Sequence, residues 1–172
     1  AGAGMTPARG KARKKPLSIA LVVDDPRWRG DASVIRGMRK AIRLAATAQP
    51  HPDYLSGAAA AVTVLLANDR RLRELNFSFR GKDKPTNVLS FSAAQNEDGY
   101  LGDLALAYGV VAKEARSQRK TLAEHAAHLA AHGVLHLLGY DHENAKDAGQ
   151  MEALEIALMQ RLGIADPYLP RP

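Results

Sequence analysis

The stretch HGVLHLLGYDH, from His132 to His142, constrains this 172-residue chain more than any other. His132 and His136 are four apart, so on a helix they share a face and stack one turn apart. A straight helix would carry His142 more than a turn beyond them. Gly139 is the residue suited to ending the helix, because it enters the left-handed conformation without a Cβ clash. The chain then reverses and His142 returns as a third ligand. Three neutral imidazoles with an open fourth position are the donor set of a catalytic zinc site. A structural site normally has four ligands, often thiolates, and this chain has no cysteine. One Zn2+ per chain, held by His132, His136 and His142, is the expected cofactor.

A histidine taken alone is more often packed or solvated than metal-bound. Here five of the six histidines lie between 125 and 142. The spacing also matches the three-histidine pattern of the metzincin proteases, H-E-x-x-H-x-x-G-x-x-H. Those enzymes carry their general base directly after the first histidine, and this chain has Gly133 there. Asp141 and Glu143 are nearby but not at that position. The motif predicts a hydrolase-type metal site that is not a peptidase.

The histidines belong to a longer helix. Thr121-Leu-Ala-Glu124 is a capping box, and the residues from there to Leu138 are nearly all Ala, Leu, Val and His. A helix apolar all round is a buried one. His125, His128, His132 and His136 fall within a stripe of about 80° at 100° per residue. His128 is expected to support the site or simply to pack, not to bind metal.

Around this helix the chain reads as one α+β domain. Leu17–Val23 and Ala60–Ala67 are short apolar runs, predicted as buried strands. Trp28 between them is a packing anchor in a loop. Ser33 to Ala48 is an amphipathic helix, capped by Asp31 or Ser33, with Arg36, Arg39, Lys40 and Arg43 on its polar side. That side is read first as solvated and second as an RNA contact. Asn68 caps a short helix over 69–76, and residues 77–86 are predicted as a polar loop. Asn87–Phe91 and Leu101–Tyr108 complete a small four-stranded mixed sheet, joined by a turn-rich connection at 95–99. Helices over 110–118 and 147–162 follow, the second with Met151, Leu154, Leu158 and Leu162 inward. The expected division is a basic arm over 1–16, a catalytic domain over 17–164 and an extended tail over 165–172.

Composition narrows the setting. Hydrophobic residues make up 46%, so the chain is globular. The absence of cysteine excludes a disulfide framework and fits a reducing cytoplasm. No apolar run approaches the roughly 18 residues of a membrane span. Of the 24 Lys and Arg, five (Arg9, Lys11, Arg13, Lys14 and Lys15) fall in 1–16 with no acid; the rest of the chain sets 19 bases against 18 acids. Such an arm reads as a disordered, solvated tail that sometimes touches nucleic acid. Residues 1–4 ahead of Met5 read as an expression remnant. Asp24-Asp25 after the short apolar run argues against a secretory signal.

Two stretches together, LNFSFRGKDKPTNVLSF (75–91) and His132–His142, joined by Leu101-Gly-Asp103, resemble the YbeY family of bacterial rRNA maturation factors. The likeness runs from about Leu17 to Leu162. It implies a single-domain, metal-dependent endoribonuclease acting on single-stranded RNA, in 16S rRNA 3′-end maturation and ribosome quality control. It implies an rRNA precursor and the ribosome or small-subunit proteins as partners. The family's zinc histidines fall on His132, His136 and His142, and its functionally important arginine on Arg80. Asn87 stands where aspartate is common, and Ser92 where proline is common. The residues themselves suit this chemistry. Phosphodiester cleavage needs charge stabilisation, which a zinc ion and an arginine fork supply. Arg80, with Lys82 and Lys84 on the same predicted loop, forms a candidate RNA-facing set; loop solvation is an equal reading for the two lysines. The alternatives are a zinc metallopeptidase, opposed by Gly133, and a non-catalytic assembly factor with a structural zinc. Arg80 in a buried ion pair with Asp103 is the competing role for that residue.

Overall fold

The computed structural model describes residues 16–48, 60–94 and 99–172. Residues 1–15 of the basic arm over 1–16 and most of the 95–99 connection lie outside the described residues. Four strands form one sheet in the order β1-β2-β4-β3: β1 (Ser18–Val23), β2 (Ala61–Ala67), β3 (Val88–Ser92) and β4 (Tyr100–Ala107). β1 and β4 run parallel to β2, and β3 runs antiparallel to β4. The sheet is mixed because a helix returns the chain between β1 and β2, whereas β3 reaches β4 by a short connection.

Side-chain alternation divides the core. Val62, Val64 and Leu66 of β2 and Leu104 and Leu106 of β4 face α1 (Ala32–Ala45) and α4 (Leu122–Leu137). Ala67, Leu89, Ala105 and Ala107 face Leu72 of α2 (Asp69–Arg80) in a smaller cluster on the other side. α3 (Tyr108–Ser117) and α5 (Ala145–Arg161) complete the helices. The predicted caps are present. Asp31 accepts from Ser33 N at 2.8 Å and Asn68 from Arg71 N at 2.9 Å. Both bonds of the Thr121–Glu124 capping box form, at 3.1 and 3.0 Å. Trp28 is fully buried in a one-turn 3-10 helix, not a loop, and its indole N–H donates to Ala67 O at 2.9 Å.

Three further expectations change. The first run is not a buried strand: β1 is a sheet edge, alternating exposed and half-buried. A continuous apolar run is compatible with either, and only its neighbours decide. α2 does not stop at Asn76 but continues to Arg80, where Gly81 in the left-handed conformation (φ 68°) ends it. Residues 77–80 are therefore a last helical turn whose exposed Phe77 and Phe79 mask the helical pattern. The tail does not simply extend. It turns at Asp166 and is tied back to the body by Lys120 Nζ on Pro167 O (2.7 Å), Tyr168 on Glu155 (2.5 Å) and Arg171 on Glu124 (2.9 Å). No helix among the described residues is long and apolar enough to cross a membrane.

Candidate metal centre

The site is built at the C-terminal end of α4. Gly139 N donates to His136 O and Tyr140 N to Leu135 O, both at 3.0 Å. These are the paired bonds of a Schellman end, and Gly139 takes the left-handed position at φ 98°. The reversal brings His142 back over the two helical histidines. Its ring lies 5.7 Å from that of His132 and 4.9 Å from that of His136. One nitrogen from each of the three lies within 4.8 Å of the others.

Each helical imidazole is held by its far nitrogen. His136 Nδ1 lies 3.0 Å from Tyr140 O, which can only accept, so that nitrogen carries the hydrogen. His132 Nδ1 lies 2.6 Å from Glu155 Oε1. The two Nε2 atoms then meet at 3.0 Å with lone pairs facing. Two lone pairs at that distance repel unless a cation lies between them. Imidazoles fixed through Nδ1 by a carboxylate and a backbone carbonyl are the usual support of a bound metal. The residues present therefore fit a metal ion. Burial, with His132 and His142 alongside, holds the His136 pKa below the usual histidine value, favouring the neutral ring that binds metal.

Glu155 was not picked out by sequence reasoning. It lies on the inward face of α5 with Met151, Leu158 and Met159, and is 1% exposed. It takes hydrogen bonds from His132, from His128 Nε2 at 3.0 Å and from the Tyr168 hydroxyl. Burial alone would raise its pKa; the hydrogen bonds from His128, His132 and Tyr168 outweigh that and bring it to about 2. Burial, together with the same Glu155 contact, pushes the Tyr168 phenol well above its usual range. His128 thus meets the site through Glu155. An acid at core spacing on an otherwise apolar helix face was the available signal.

Gly133 occupies a place of close approach. A Cβ there would meet Leu104 Cδ2 at 2.7 Å and Ser90 Oγ at 3.2 Å. The helix lies so near the sheet that the peptidase glutamate has no room. Asp141 and Glu143 sit on the rim of the cleft instead.

That cleft has a volume of about 630 Å³, and Arg80, Asn87, Ser90, His132, His136 and His142 line it. The longer α2 is what carries Arg80 there. Its guanidinium donates to Ser90 O at 3.2 Å and makes no ion pair among the described residues. Asp103 instead accepts from Tyr100 OH. Lys82 and Lys84 are exposed on the following loop but do not line the cleft. Asn87 Nδ2 donates to both oxygens of Glu114, at 3.3 and 3.1 Å. An aspartate at 87 would set two carboxylates face to face, which accounts for the amide here.

Residues 30–163 match the family model described as Endoribonuclease YbeY. A Rhodopseudomonas palustris protein named Endoribonuclease YbeY is 48% identical over 154 residues, covering 86% of this chain and 79% of the relative. One of the same name from Maricaulis maris is 42% identical, covering 88% and 91%. Among solved structures, the solution structure of TM1509 from Thermotoga maritima matches at a TM-score of 0.52 and 21% identity, over 88% of this chain and 99% of that one. This last likeness concerns the fold alone.

Proposed function

The chain belongs to the YbeY endoribonuclease family, and from that premise we propose that it is a zinc-dependent endoribonuclease acting on single-stranded rRNA precursor. The observation that carries the reading is the convergence of His132, His136, His142 and Arg80 on one cleft. One zinc ion would be held by the three histidines. When bound, it supplies Lewis acidity at the scissile phosphate.

The chain's own groups do the rest. Glu155 and Tyr140 O keep His132 and His136 in the tautomer that presents Nε2 to the ion. Ser90 O restrains the Arg80 guanidinium, whose remaining N–H groups match two phosphate oxygens. Arg80 is the catalytic residue in this reading; Lys82 and Lys84 would meet flanking phosphates. The catalytic unit would span 17–164. A role in 16S rRNA 3′-end maturation and ribosome quality control, with small-subunit proteins as partners, and a cytoplasmic setting complete the proposal. Gly133 speaks against peptide hydrolysis, and an open cleft beside the histidines against a purely structural ion.

Incubating metal-loaded protein separately with labelled 16S rRNA precursor and with casein tests this. The RNA should be cut, a chelator should stop the cutting, and casein should stay intact. Intact RNA under those conditions would refute the proposal.

A further inference from the structure

α1 carries a second candidate for contact with RNA, away from the metal centre. Its outer face, with Arg29 just before it, presents Arg36, Arg39, Lys40 and Arg43 around a groove of about 450 Å³ floored by Ile35. No acid lines that groove. Asp31 is close enough to feel the Arg36 charge, but it is bonded to Ser33 as the helix cap. Arg43 donates to Leu17 O, an uncharged acceptor.

α2 offers a comparison within the same molecule. Its Arg70 and Arg71 each pair with Glu74, and its Arg73 pairs with Asp83. None of the five cations around the α1 groove has an ion-pair partner among the described residues. A solvated helix face normally mixes both signs. Five cations of one sign concentrate a field that an anionic polymer would neutralise. Arg36 to Arg43 span about 10 Å at 1.5 Å per residue, enough for successive phosphates. The apolar side of α1, Val34, Met38, Ala41, Ile42 and Ala45, is buried in the core. Only Ala32 and Ile35 remain among the cations of the outer face, less than the broad apolar face that an interfacial helix buries in a bilayer.

We propose that the outer face of α1 binds the phosphate backbone of RNA outside the cleavage cleft, holding long substrates while the histidine site cuts. This rests on the endoribonuclease reading. The test is the triple variant Arg36→Gln, Arg39→Gln, Lys40→Gln, compared with Lys113→Gln, Arg116→Gln, Arg161→Gln, which removes equal charge elsewhere. All six are surface side chains on helices, and glutamine is a good helix former. Affinity for the 16S rRNA precursor is measured against salt, and cleavage of a short single-stranded oligonucleotide in parallel.

Losing three phosphate contacts should lower the log–log salt slope by about 2 and affinity by about ten-fold or more, with short-oligonucleotide cleavage unchanged. The comparison variant should keep its slope. An unchanged slope in the α1 variant, or an equal drop in both, overturns the proposal. So does unchanged RNA binding with lost binding to phosphatidylserine vesicles, which would assign the face to a membrane. If the wild type fails to cut the short oligonucleotide, the endoribonuclease reading fails, while the salt slopes still report on α1.

Discussion

At the scale of the residue, the centre depends on how each imidazole is held. His136→Ala should abolish zinc binding in metal analysis, and His128→Ala should keep the ion, because His128 touches Glu155 and not the cluster. Glu155→Gln preserves shape but replaces a carboxylate on His132 Nδ1 with an amide. Zinc affinity measured by chelator competition should drop about 10–100-fold, as for other supporting partners of metal ligands. An unchanged affinity would show that His132 is oriented without Glu155. Arg80 is exposed and bonded to one carbonyl. Arg80→Lys retains the charge and loses the fork, so cleavage should fall about 10²-fold, the scale for one positioned donor. Melting temperature and zinc content should stay at wild-type values. A stability loss proportional to the activity loss would place Arg80 in the fold and not in the chemistry.

At the scale of the element, the end of α4 sets the third ligand. Gly139 has φ 98° and open space around its missing Cβ. Gly139→Ala therefore meets no clash, only backbone strain of about 1 kcal/mol. Relief of that strain would shift the turn that holds His142. Zinc affinity should fall while the helix content stays constant. Gly133 acts through the opposite cause, contact with Leu104 and Ser90 across the helix–sheet interface. One glycine is required by conformation, which the sequence pattern indicated, and the other by space, which it did not. α2 teaches a related point. Its last turn carries exposed aromatics that conceal the helical period, yet Gly81 at its end was visible in the sequence.

At the scale of the whole molecule, α3, α4, α5 and the tail are tied together by carboxylates, Glu155 buried and Glu114 and Glu124 half-buried. Glu114 meets His125 Nε2 at 2.7 Å and accepts from Asn87. Burial raises its pKa, but these bonds and the His125 charge leave it below the usual value. A carboxyl depressed in the folded state stabilises above its unfolded pKa, about 4.3, and that contribution is lost as pH falls through the folded value. In urea melts, the gap between wild type and Glu114→Gln should be full near neutrality and close below about pH 4. A gap independent of pH would mean that the hydrogen bonds matter and the charge does not. Local signals determined much of this protein: capping residues, the period of α4, the i, i+4 histidines and Gly139 act within a turn or two of backbone. They were legible because helix geometry alone relates those positions. Tertiary structure decided the rest. Which apolar strand became an edge depended on what lay beside it. Arg80 entered the cleft because α2 packs under the sheet, leaving Lys82 and Lys84 outside. Glu155 reached His132 from 23 residues along the chain, a distance in sequence that no local period spans, so only the packing of α5 on α4 could bring a carboxylate to that nitrogen.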